Sequence, residues 1–321
     1  MNKLKINEKQ KKENLVEVRT VLSSQKKLKV IKVFDTIEKT SGEKDVSLCQ
    51  TQDGNKVILR IGEIRPSSFF LNGFESKHFV IPKIYERQEA EIPYEIEEYL
   101  DGILVCDFDK QQSKTGKIDP KISKKLLATF WEFQYVAANI GLEQKFDKSK
   151  ILKHFEKAKP LLQEPQLIQK LINQYENFWK GAYPSKWKFS TDNLIMMPGN
   201  KIGFIDNAEA GLRYFGYDLG WLLWPRWVEM ETKHFDEVND HFKYLKQFMK
   251  QAYQMAPEKI ENFEKNFWLV IFDRLVGAIY DVACDTRHLN DWGMKKNGNK
   301  KRKEKHLVFL NKLLALVVKK L

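Results

Sequence analysis

The chain of 321 residues holds only three cysteines, Cys49, Cys106 and Cys284, far apart and odd in number. They define no disulfide framework and no zinc spacing, and they fit a reducing, cytoplasmic setting. The six histidines show no metal-ligand spacing either. Long apolar runs are missing. The N-terminal stretch MNKLKINEKQKKEN has no apolar core and does not read as a signal peptide. FWLVIFDRLVGAIYDVAC carries Asp273 and Arg274 mid-run, and the short HLVFLNKLLALVV contains Lys312, so neither reads as a membrane span. Arginine is scarce: nine of 55 basic residues, under a formal charge of +12. A lysine-dominated surplus spread along the chain reads as solvated surface. Nucleic-acid recognition leans on arginine forks, so nucleic acid is not an expected partner. No Walker GxxxxGK[ST], no GxGxxG and no legible Ser-His-Asp or Cys-His arrangement is present.

What is present is an ordinary globular balance, 42% hydrophobic, 31% charged and 12% aromatic. The length suggests about two lobes. Residues 7–24 read as a polar helix. LKVIKVFDTIE (28–38), DVSLCQT (45–51) and KVILRIGE (56–63) read as strands, with QDGN (52–55) a two-residue hairpin signal. FVIPKIYE (79–86) and YEIEEYL (94–100) read as two more, and 66–79 as a short helix within the sheet. After Asp101-Gly102 the apolar spacing turns helical, first over 121–141, where Gly141 suits a C-cap, then over 148–162 and 165–181, and again from Tyr217 onward. MKKNGNKKRKEKH (294–306) reads as a basic loop, and GWLLWPRW (220–227) as core aromatics, a pocket wall at Trp224 or Trp227 being the lesser alternative. The expected fold class is α+β, with an antiparallel β-rich lobe over 1–100, opened by a helical extension over 1–25, and a helical lobe over 101–321 with an embedded hairpin.

That hairpin is KWKFSTDNLIMMPGNKIGFIDNAEAG (186–211). Gly-Asn is a favoured two-residue loop. If Gly199 and Asn200 form it, 198 pairs with 201 and 197 with 202, and continuing outward sets Asn193 opposite Asp206. Their Cβ atoms are then roughly 4.5–5.5 Å apart. An amide oxygen and a carboxylate so placed suit a hard cation such as Mg²⁺, which is commonly completed by substrate phosphates. Asn and Asp at strand ends also serve local backbone groups, which is the plain alternative.

The segment FSTDNLIMMPGNKIGFIDNAEAGLRYFGYDLGWLL (189–223) resembles the catalytic segment of the aminoglycoside phosphotransferase and choline kinase group, small-molecule kinases of protein-kinase-like fold. That segment runs His-Gly-Asp-Leu-x-x-x-Asn, a hairpin, Ile-Asp-Phe/Trp, then Tyr/Phe-Asp-Leu on a helix. The resemblance implies Mg²⁺ ligands at Asn193 and Asp206, ATP in the cleft between the lobes, and Asp218 of YDLG as a support for the catalytic loop. It implies an adenine-side hinge over Glu98, Tyr99 and Leu100 to Gly102, Arg60 in place of the ATP-binding lysine, and Glu75 as its ion-pair partner. It also places acidic groups such as Asp273 and Asp281 at an acceptor cleft, against a plain ion-paired reading. The acceptor is an unidentified small molecule with a hydroxyl.

One departure stands out. The family's catalytic aspartate falls on Lys188, and its histidine on Lys186. A lysine ammonium, with a reference pKa of about 10.4, is a poor proton acceptor. Lys188 instead suits contact with a phosphate, and Asp206 is the remaining acidic residue of the catalytic set. Two functions follow from this: phosphoryl transfer running without its usual base, or a pseudokinase-like nucleotide-binding or regulatory protein.

Overall fold

The computed structural model describes residues 8–39, 42–62, 64, 71–89, 92–109, 117–139, 149–180, 183–207, 210–222, 238–254, 262–284 and 300–321. The chain divides into two compact units, one of residues 1–103 with 194–210, the other of 104–193 with 211–321. The hairpin thus packs with the first unit, and the loop leading into it with the second.

The first unit opens with α1 (Glu8–Gln25) and is built on an antiparallel sheet of β1 (Lys29–Lys39), β2 (Gly42–Gln50), β3 (Lys56–Gly62), β5 (Ile84–Gln88) and β6 (Tyr94–Glu98), ordered β1-β2-β3-β6-β5. Alternation sorts the two faces. Val57, Leu59, Ile61, Tyr94 and Ile96 point to one side, where Leu15 of α1 closes the core. Arg60, Glu95 and Glu97 point to the other and are also buried. A smaller sheet joins β4 (Phe79–Val80), parallel, and β9 (Leu194–Met196), antiparallel, to β10 (Ile202–Phe204). The 79–86 segment is therefore two strands in two sheets rather than one. Residues 71–79 form a turn and a bridge, Glu75 to Val80, instead of the expected helix, whose residues 66–70 lie outside the described residues.

Both hairpins carry one loop residue more than expected. Gln50 pairs with Lys56, and Thr51 N–H donates to Asn55 O at 2.9 Å, so the loop is Gln52-Asp53-Gly54 with Gly54 at φ 84°. In the second, Ile202 pairs with Met196, and Met197 N–H donates to Lys201 O at 3.0 Å around Pro198-Gly199-Asn200, with φ of 72° and 69° at the last two. A three-residue loop with left-handed residues satisfies the strand twist as a two-residue one does, but it shifts the register by one.

The second unit begins with the short strand β7 (Ile103–Leu104), which straddles the boundary, and α2 (Val105–Phe108). It continues through α3 (Pro120–Asn139), α4 (Ser149–Ala158), α5 (Pro165–Gln174) and α6 (Glu176–Trp179). Strand β8 (Tyr183–Ser185) pairs with β11 (Gly211–Arg213), and α7 (Tyr217–Leu222), α8 (Val238–Gln254), α9 (Phe263–Ala283) and α10 (Lys300–Val318) follow. The basic run is thus helical from Lys300 on, while 294–299, Gly141, Trp224 and Trp227 fall outside the described residues. Helix α9 is buried on most of its surface. Its Arg274 guanidinium lies 4.2 Å from the Trp221 ring and 5.2 Å from that of Tyr217, both on α7. Asp273 accepts from Arg274 Nη2 at 3.0 Å and from Tyr214 Oη at 2.5 Å, so it is a buried ion-pair anchor, as the plain reading had it. No described helix is long and apolar enough to cross a membrane.

Two glycines separate by what a methyl would strike. A Cβ on Gly203 lies 2.8 Å from Leu100 Cδ1 and 3.0 Å from Met197 Sδ, side-chain ends that can yield. A Cβ on Gly102 lies 2.4 Å from the Met196 carbonyl oxygen, which is held in β9. Gly203→Ala is expected to cost about 1–3 kcal/mol and Gly102→Ala more than that, as overpacking against backbone relaxes less. Urea unfolding of the two variants ranks them.

Candidate functional site

In the first unit the candidate residues collect on the charged face of the large sheet. Arg60 is buried among carboxylates. Its Nη2 is 3.4 Å from Glu97 Oε1 and its Nη1 is 3.5 Å from Asp206 Oδ1. Those carboxylates hold its guanidinium more firmly protonated than usual, against the desolvation that opposes the charge. Arg60 sits directly across from Glu95 in the ladder, and Glu95 is taken by Arg87 at 2.9 Å. Glu75 is not the partner of Arg60. It lies on the bridge to Val80, is largely exposed and pairs with Lys201. Glu97 and Glu95 were legible from the alternation of YEIEE, which puts both on the face of Arg60, but no residue of the family pattern points to them.

Asp206 follows β10 in a left-handed conformation, φ 57°. Its position is fixed on both sides. Before it, Phe204 stacks on Phe79 at 5.0 Å between ring centres. After it, Asn207 Nδ2 donates back to Phe204 O at 3.0 Å, and Ala210 N–H to Asn207 O at 3.1 Å. The expected hinge residues have structural work. Glu98 N–H donates to Lys83 O at 2.8 Å, and its carboxylate accepts from Lys83 N–H at 3.1 Å. Tyr99 lies beneath the Lys56 ammonium at 5.3 Å, and Leu100 is buried with its Cδ1 close to Gly203.

In the second unit the loop 185–193 hangs on one carboxylate. Asp218, buried on α7, accepts from Ser185 Oγ at 2.7 Å and from Lys186 N–H at 3.0 Å, and Ser185 Oγ in turn accepts from Trp187 N–H at 2.9 Å. Ser185 went unnoticed in the sequence, where nothing marks it. Trp187 and Lys188 both have positive φ, 61° and 46°. Lys188 lays its ammonium over the Trp187 ring at 4.4 Å, while Lys186 is fully buried with its Nζ near Trp187 O at 3.5 Å. Asn193 ends a 3₁₀ turn, Thr191–Asn193, rather than starting the strand, and its Nδ2 points to Lys188 O and Ser190 Oγ, each at 3.4 Å.

The register moves Asn193 out of the expected cross-strand pair. The ladder ends at Leu194 with Phe204, and the one-residue shift takes Asn193 off the position opposite Asp206. The reason is the extra loop residue at Pro198-Gly199-Asn200. Among the described residues no cluster of three or more His, Cys, Asp or Glu forms a ready metal cage. The donor set nevertheless suits Mg²⁺, which is usually held by one or two protein oxygens and completed by phosphates and water. Two carboxylates, Glu97 and Asp206, face the Arg60 guanidinium.

The chain aligns over 95% of its length with 98% of an aminoglycoside phosphotransferase, APH(4)-Ia, in a thermostable mutant bound to ADP and hygromycin B (TM-score 0.56, 10% identity). It has the protein-kinase-like fold. Choline kinase LicA from Streptococcus pneumoniae is similar over 96% of this chain and 100% of its own (TM-score 0.50, 12% identity). LicA in complex with AMP covers 94% and 98% (TM-score 0.51, 12% identity). No family model and no curated protein matches the sequence. The kinase-like fold accounts for the antiparallel sheet, the mostly helical remainder and the hairpin.

Burial pushes the Asp218 carboxyl up to about 6, against the Ser185 and Lys186 hydrogen bonds and the charges of Lys186 and Arg213, which lower it. Because the folded group binds its proton more tightly than the unfolded one, stability falls as pH rises from 3.8 to about 6 and levels off above. The drop is on the order of 3 kcal/mol. Asp218→Asn should remove that slope, as read by denaturant unfolding across the window.

Proposed function

We propose that the chain binds ATP and transfers a phosphoryl group slowly to the hydroxyl of a small molecule. The observation that carries this is the Arg60–Asp206 ion pair, which joins the sheet position of a phosphate-binding cation to the carboxylate that follows the hairpin. ADP with hygromycin B, and AMP, occupy the similar structures, and these support nucleotide use here. In this reading Arg60 contacts the phosphates, Glu98 to Leu100 line the base, and Asp206 with Asn193 would hold Mg²⁺. That ion would neutralise the phosphate charge. Lys188 then serves as a point charge toward a phosphate, not as a base.

Phosphoryl transfer depends mainly on positioning and charge stabilisation, so a missing base slows it without abolishing it. The second reading, nucleotide binding without transfer in a regulatory role, is favoured by Lys188 itself and by its engagement with Trp187. Mg²⁺ and ATP should raise the melting temperature, and no rise at saturating nucleotide sinks both readings. Lys188→Asp should accelerate ATP turnover by about 10²–10⁴-fold if the base alone is missing. An unchanged rate in a folded, nucleotide-binding variant favours the regulatory reading.

A further inference from the structure

We infer that Glu97 is the residue that positions Arg60 for nucleotide phosphates, and that this pair is permanently assembled. The inference rests on the nucleotide-binding reading above and adds to it the partner and the manner of its assembly. Arg60 lies on β3 and Glu97 on β6, neighbouring strands in the interior of the five-stranded sheet. Their separation is therefore set by the β3–β6 ladder, with Arg60 opposite Glu95 and Ile58 opposite Glu97. Both side chains stand on one face and both are buried.

The neighbouring charges sort the pairing. Arg87 of β5 binds Glu95 at 2.9 Å, and Glu97 Oε1 lies 3.4 Å from Arg60 Nη2. The guanidinium fork is oriented at two separate nitrogens, Nη2 by Glu97 and Nη1 by Asp206. At 3.4 and 3.5 Å these contacts are longer than the 2.7–2.9 Å of a tight charge-assisted bond, so the fork is aimed without being saturated. A guanidinium has five N–H donors in a fixed plane, enough to keep Glu97 and still meet phosphate oxygens. Glu75, in the segment where the resemblance seeks the partner, is exposed and paired with Lys201. A partner held in the same sheet cannot swing away as one on a separate element can, so no assembly step precedes binding.

The test is ADP binding to the full chain, measured by calorimetry in the presence of Mg²⁺. Glu97→Gln should weaken ADP by about tenfold or more, since it removes one partner of a buried charge pair. Arg60→Gln should weaken it at least as much, and the double variant no further than Arg60→Gln alone, because Glu97 acts through Arg60. Losses that simply add, or a Glu97→Gln protein that binds like the parent, overturn the proposal. Glu75→Gln should leave the affinity unchanged, and a loss there overturns the assignment to Glu97. If Glu97→Gln does not fold, Glu97→Asp, which draws the charge back by one methylene, runs the same cycle. Stopped-flow ADP association should give an observed rate that rises linearly with concentration. A plateau reveals a prior conformational step and overturns permanent assembly. Failure of the parent protein to bind ADP is a different result, one that removes the nucleotide reading itself.

Discussion

A guanidinium taken out of water must be matched by carboxylates, and in the first unit that requirement organises everything near Arg60. Breaking such a buried pair costs about 3–5 kcal/mol because it strands the remaining charge. Arg60 therefore binds β3 to Glu97 on β6, and to Asp206 on the turn after β10, which is held in turn by the Phe79–Phe204 stack. One side chain couples the large sheet to the hairpin sheet. The opposite face of the same strands does ordinary work: Val57, Leu59 and Ile61 bury against α1. Buried charge and buried hydrocarbon thus occupy opposite faces of β3.

The second unit solves the same problem with one carboxylate and neutral donors. Among the described residues, Asp218 has no guanidinium at hydrogen-bonding distance. Burial raises its proton affinity, and the hydroxyl of Ser185 and the backbone amide of Lys186 that hold it offset only part of that rise. The helix that carries it is clamped from α9, where Arg274 lies against Tyr217 and Trp221, one residue before and three after Asp218. Those rings, the buried Asp273 and the close fit at Gly220 make α7 a fixed platform for the loop that begins at Ser185.

Much of this was readable in the residues. The β-branched runs 28–38 and 56–63, the helical spacing of Leu126, Leu127, Phe130 and Phe133, and the hairpin between LIMM and KIGFI all appear in the fold. What misled was turn chemistry. Asp-Gly and Gly-Asn both signal two-residue loops, yet each hairpin takes three residues, and a shift of one is enough to move Asn193 from its expected place. Long-range pairing was the other gap. The link from Arg60 to Glu97 needs the strand order β3-β6, which no local pattern encodes, and the resemblance points to Glu75 instead.

The backbone at Lys188 has a meaning of its own. A left-handed φ of 46° there, next to 61° at Trp187, is costly for a long side chain, by about 1–2 kcal/mol. Aspartate visits that region several-fold more readily than most residues. The main chain at this position already has a curve that an aspartate takes more easily than a lysine. An aspartate at this position fits the existing curve with no remodelling of the loop.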